Sequence, residues 1–186
     1  VSMISFYFIV FLLSMSTSAL PLLIQGVQRS ADSYTFLVCA QRMIEQETLV
    51  QALLENFLQP WCRLYSTYLI LLSTAVKHYG DGWSQVIAVS NILFHASAIT
   101  CMAYFSYFVT KKLSLTMLIS LLLMFSVDIL IRVHWPISDS LFLLTATLSF
   151  VMVSLTFYMP KNVLLMLVAI FSLFITGLTR PHGLGI

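Results

Sequence analysis

Charge is what this chain has least of. Only 9% of its 186 residues are Asp, Glu, Lys or Arg, against about 25% in soluble domains. Hydrophobic residues make up 60%, and the mean hydropathy is +0.97. These values exclude a soluble globular domain and imply an integral membrane protein. The net charge of +2 is small and no basic patch interleaves with aromatic residues, so nucleic acid is not an expected partner. Cysteine is equally sparse: Cys39, Cys62 and Cys101 fall in no metal or redox spacing, and all three are expected to be unpaired. His95, His134 and His182 lack the paired i, i+4 spacing of a metal site, so no cofactor is evident and a divalent metal finds no support. No internal repeat, low-complexity tract or linker divides the sequence, and residues 1–186 read as a single transmembrane domain. The chain starts at Val1 and stops in the polar turn that begins at Thr179, without a closing helix. It therefore reads as a fragment, or a truncated gene product, of something longer.

What is present is apolar sequence in blocks. At ~20 residues per span the length allows about six membrane segments, and the expected fold is an all-α polytopic membrane helix bundle. Residues 3–24 form the first span, with Pro21 near its end. It has no charged region before it, which favours a retained anchor over a cleaved signal peptide. Residues 25–59, the only long polar segment, are the expected extracytoplasmic loop. Within it Leu37, Ala40 and Ile44, then Leu49, Leu53 and Phe57, recur near helical spacing, opposite Gln41, Arg42, Glu45, Gln51 and Glu55. That pattern predicts two short amphipathic helices lying on the membrane surface.

Pro60 opens a second span that runs to about Val76, and Gly80-Asp81-Gly82 is a turn signal. Residues 84–109, 113–131, 140–158 and 162–178 complete the set, interrupted at Lys111 and Lys112 and at Met159-Pro160-Lys161. Asn91 and His95 lie one helical turn apart, on a face that must look inward rather than at lipid. Lys77 and Lys161 fit cytoplasmic loops, which places Asp139 and Arg180 outside. Three full spans between residues 60 and 131 would carry Asp139 to the opposite side. One stretch within 84–131 is therefore expected to be half-spanning or re-entrant.

An ionisable residue at a span terminus is costly and marks a candidate site. Those here are Asp32, Arg63, Asp128, Arg132, His134, Asp139, Arg180 and His182. They gather after the first span, at 128–139 and at the C-terminal turn, as a carboxylate base, a second polar cluster and an arginine for phosphate would. Plainer roles exist for each. Asp32 or Asp139 could cap the helix that follows it, Arg132 and Arg180 could reach up to headgroups, and His134 with Trp135 suits an interfacial belt.

The order of these features resembles the membrane glycosyltransferases of the GT-C fold, which include the protein O-mannosyltransferases and the lipid A aminoarabinose transferases. The similar stretches are Asp32-Ser33-Tyr34 at the head of the first loop, Pro136-Ile137-Ser138-Asp139 before a span, and Thr179-Arg180-Pro181-His182-Gly183 after the next pair of spans. The second acidic residue that some members use has no clear match, with Glu45, Glu47 and Glu55 all candidates. The resemblance implies transfer of a sugar from a polyprenyl- or dolichyl-phosphate donor to a protein, lipid or glycan acceptor on the extracytoplasmic face. It implies Asp32 as general base, with Arg180, Arg132, Asp139, His134, Tyr34 and His182 around the donor. Membrane lipid is the surrounding partner, and a bacterial plasma membrane is favoured over the endoplasmic reticulum because no long loop of the eukaryotic kind is present. The rival expectations are a polytopic transporter or flippase, for which no matched halves are seen, and a non-catalytic membrane assembly subunit.

Overall fold

A computed structural model describes residues 2–59, 62 and 65–180. Those residues are helical throughout, with no strand. The helices are α1 (Met3–Gln25), α2 (Ala31–Ile44), α3 (Leu49–Leu58), α4 (Ser66–Tyr79), α5 (Trp83–Thr110), α6 (Leu113–Met124), α7 (Val127–Val133), α8 (Asp139–Tyr158) and α9 (Val163–Thr179). A short 3-10 turn at Gly80–Gly82 joins α4 to α5. Three helical stretches are long and apolar enough to cross a membrane: Met3–Gln25, Ser66–Thr110 and Asp139–Tyr158. Helices α6 and α9 are apolar but shorter, at 12 and 17 residues.

Local chemistry sets the boundaries. Ser2 starts α1 by accepting the Ser5 N–H, and Gly26, at φ +69°, ends it in a left-handed conformation that suits glycine. Ser30 with Ser33, and Thr48 with Gln51, form reciprocal caps at the starts of α2 and α3. Helix α2 thus begins before Ser33, and its cap is Ser30 rather than Asp32. The 113–131 block is not one helix. Its hydrogen bonding breaks at Phe125 and Ser126, and the chain resumes as α7.

Contacts at successive levels fix the helix directions. Along α1 and α5, Arg29 Nη2 donates to Ser84 Oγ at 3.2 Å, Ser18 Oγ lies 2.6 Å from His95 Nδ1, and the Tyr7 and Tyr104 rings stand 5.8 Å apart. The two helices are therefore antiparallel. Helix α8 runs parallel to α5, through the Asn91 Nδ2 bond to the Trp135 carbonyl and the Phe105–Phe150 and Phe108–Tyr158 ring pairs. Helix α9 returns antiparallel to α8, joined by Ser149 and Thr176 at 2.8 Å. Helix α6 lines an apolar cavity together with Met3, Phe6 and Leu13, and its last residue, Met124, is buried with Val10. Since α6 follows α5 through the short Lys111–Lys112 connection, α6 and α7 climb in the direction of α1.

One end of the bundle thus collects the C-termini of α1, α7 and α9 with the N-termini of α5 and α8. Helices α2, α3 and α4 form a cap on that same end. Phe36 packs on Tyr65 and Tyr68 at ring distances of 4.7 and 5.2 Å, and the far ends of α2 and α4 flank a small cavity lined by Met43 and Lys77. The cap packs on the bundle through one shared core, in which Phe36, Met43, Leu69 and Leu72 are buried with Trp83 and Ile87 of α5 and Leu141 of α8. The cap carries one correction to the sequence reading: Cys39 and Cys62 form a disulfide across a Cα–Cα distance of 5.9 Å, and only Cys101 is free. Their separation of 23 residues matches no spacing motif because tertiary packing, not local sequence, brings them together.

Candidate functional site

Beneath the cap lies a cavity of about 420 Å³ lined by residues of α2, of the segment before α4, of α7 and the turn after it, of the start of α8 and of the end of α9. Asp32 enters from the first turn of α2. Because Ser30 and Ser33 supply the cap, the Asp32 carboxylate is not consumed by the helix terminus. It is exposed, lines the cavity and makes no ion pair among the described residues.

Asp139, the first residue of α8, lines the same cavity. Its Oδ1 forms an ion pair with Arg180 Nη1 at 2.7 Å, and its Oδ2 accepts a hydrogen bond from Arg132 Nη1 at 3.3 Å. Asp139 is therefore not a free helix cap but the shared partner of two guanidinium groups. Arg132 comes from the last turn of α7, and Arg180 closes α9 with its guanidinium 5.9 Å above the Phe142 ring. Two arginines and two aspartates thus converge on one cavity from three separate stretches of the chain, at the start of α2, at the α7–α8 junction and at the end of α9.

The remaining candidates are placed differently. Tyr34 points to the exposed side of α2 and does not line the cavity. His134 is buried, edge-on to Trp135 at 6.3 Å, with neither ring nitrogen hydrogen-bonded among the described residues. Burial pushes its pKa below the ordinary imidazole value. It backs the wall and does not face the cavity; its neighbour Trp135 lines it. His182 and Arg63 lie outside the described residues. Asn91 and His95, expected to look inward, are both fully buried. Asn91 holds the wall through the Trp135 carbonyl, and His95 ties α5 to Ser18.

Phe36, Tyr65, Ile137 and Ser138 also line the cavity and were not among the expected residues. Phe36 carried a signal, since it lies four residues after Asp32 and so shares its helical face. Tyr65 carried none, because it arrives beside Phe36 through the disulfide-linked segment. Among the described residues no three His, Cys, Asp or Glu side chains gather as a metal site. Chemically, the cavity offers one carboxylate without an ion pair among the described residues and two cations held by a second carboxylate. Compared with protein-family models, with curated proteins and with solved structures, the chain gives no match.

Proposed function

We propose that the chain belongs to a membrane glycosyltransferase that uses a lipid-phosphate-linked sugar and works on the extracytoplasmic face. The observation that carries this reading is the convergence of Asp32, Arg132, Asp139 and Arg180 on one cavity. In this reading five passes cross the bilayer: α1, α5, α6 with α7, α8 and α9. The cap, α4 included, stays outside.

Several features support that topology. Large apolar side chains are exposed along the flanks of α1, α6 and α9, Ile4, Leu122, Leu164 and Phe171 among them, a surface suited to lipid. The two connections at the opposite end contain Lys111, Lys112 and Lys161 and no acidic residue, which fits a cytoplasmic side. A disulfide persists in an oxidising compartment, which fits the cap outside. On this arrangement Lys77 is extracytoplasmic. The pass that fails to span is then α4 rather than a stretch within 84–131. Helix α3 shows Val50, Leu54 and Phe57 exposed beside Gln51 and Glu55, as a helix seated in the outer interface would.

The chemistry follows from the charged groups of the cavity. Asp32 takes the proton from an acceptor hydroxyl as its oxygen attacks the anomeric carbon, and configuration inverts. The bond from that carbon to the phosphate oxygen breaks, and the leaving lipid phosphate gathers charge where Arg132 and Arg180 stand. General-base catalysis of this kind contributes about 10²–10⁴-fold. In the full-length protein, Asp32→Asn should abolish transfer from a polyprenyl-phosphate sugar while membrane insertion and thermal stability stay unchanged. Wild-type turnover by that variant refutes the base assignment.

A further inference from the structure

Asp139 sits where a phosphate would be expected to sit. Its two oxygens each engage one guanidinium, Oδ1 with Arg180 and Oδ2 with Arg132, at 2.7 and 3.3 Å. Each contact is single, not the paired fork an arginine forms with a committed carboxylate partner. Among the described residues neither guanidinium makes another hydrogen bond, so further N–H donors remain on both. The arginines are also the more open members of the cluster. Their side chains are 54% and 31% exposed, and the carboxylate between them 21%.

We propose that Asp139 is an internal counter-anion: it occupies Arg132 and Arg180 in the empty site and is displaced when a lipid-linked phosphate binds. The proposal rests on the glycosyltransferase reading above and gives Asp139 a positioning role rather than a catalytic one. Carboxylate and phosphate compete for the same donors in the same place. A sugar-linked phosphodiester carries one negative charge, and after transfer the lipid monoester carries about 1.5 to 2 at neutral pH. Without a competing anion, two bare guanidinium groups would hold that product more tightly than the donor. Asp139 gives them a partner to return to, and so favours release of the lipid phosphate. Meanwhile the pairs keep both side chains aimed at the cavity floor between turnovers, pinning the end of α7 and the end of α9 to the start of α8.

The test is a titration of the detergent-solubilised full chain with a long-chain polyprenyl phosphate and, separately, with inorganic phosphate. Quenching of Trp135 in the cavity wall reports binding. Asp139→Asn should tighten polyprenyl phosphate binding about tenfold, the equivalent of ~1.4 kcal/mol. A second pair of variants keeps the result interpretable if two unpaired arginines impair folding. Arg132→Gln combined with Asp139→Asn leaves the local charge unchanged, and should bind more tightly than Arg132→Gln alone. Equal or weaker binding by both Asp139→Asn proteins overturns the counter-anion role while leaving the phosphate site standing. Failure of the wild-type chain to bind polyprenyl phosphate at all overturns both readings. Tightening with inorganic phosphate but not with the polyprenyl ester overturns the lipid headgroup as the source of the anion.

Discussion

Removing the Cys39–Cys62 disulfide should loosen the cap and one wall of the cavity together. Both cysteines are about 3% exposed within the cap core, and the bond closes a loop with a sequence separation of 23. A loop of that size corresponds to about 3 kcal/mol of lost unfolded-state entropy at 25 °C. For a chain of this length ~1 kcal/mol shifts Tm by about 2–4 °C, so Cys39→Ala with Cys62→Ala should melt about 10 °C lower. The consequence for the site follows from position. Cys39 lies one turn after Phe36 on α2, and Phe36 packs on Tyr65, three residues beyond Cys62. Thermal melts in detergent measure the stability, and maleimide labelling counts thiols. Denatured but unreduced protein should take up one label, at Cys101, and reduced protein three. Three labels before reduction, or a Tm change below about 2 °C, refute the argument that the bond holds the cap.

Three further perturbations probe other parts of the structure. In a Cys101→Ser background, Lys77→Cys and Lys112→Cys should react with an impermeant maleimide from opposite sides of the membrane; same-side labelling refutes a cap that contains α4. Ser18→Ala strips the buried His95 ring of its hydrogen bond, and should cost about 0.6–2 kcal/mol, the span of values for polar pairs between membrane helices. Ser16→Ala, whose hydroxyl bonds only its own helix at Leu12, should be neutral in the same melts. The pKa of His134 is lowered in the folded state by burial, so below about pH 6.5 the unfolded chain binds more protons than the folded one. Stability is thus fully present above that pH and falls as the solution is acidified, a slope that His134→Gln should reduce; identical slopes for the two proteins count against it.

Much of the fold was legible because apolar blocks and turn residues act locally. The run from Met3, the breaks at Lys111 and Pro160, and the turn at Gly80–Gly82 all fall where the sequence places them. What was not legible depends on long-range packing. The Pro60–Val76 block reads as a span, and its described part belongs to the apolar stretch Ser66–Thr110; what the sequence does not show is that Leu69, Leu72 and Ala75 of α4 share a core with α2 and α5. The break in α6–α7 carries no proline or glycine to announce it. At the site, Asp32, Arg132, Asp139 and Arg180 stood out because charge is rare in this chain, and the fold brings those four together. Tyr34 and His134 belonged to the same short motifs but point elsewhere. Adjacency in sequence does not fix which side of a helix or turn a residue occupies.

The depth of the cavity follows from helix lengths alone. Helix α8 has 20 residues, about 30 Å at 1.5 Å per residue, which equals the hydrocarbon thickness of a bilayer. If α8 crosses, Asp139 at its start lies at the headgroup level, with Arg132 and Arg180 beside it. Helix α5 has 28 residues, or about 42 Å, so it exceeds the core by roughly two turns. The Asn91 bond to the Trp135 carbonyl sets α8 that far below the tip of α5, and the first two turns of α5, with Trp83 and Ile87, serve as the post on which the cap packs. With α8 crossing in this way, the cap would roof the cavity from the aqueous side and the arginines would stand at the headgroup level. In the glycosyltransferase reading, a donor anchored in the bilayer would reach it laterally, and an acceptor would come from beneath or beside the cap. Such a division of access would suit a lipid-borne donor, which the charges alone do not specify.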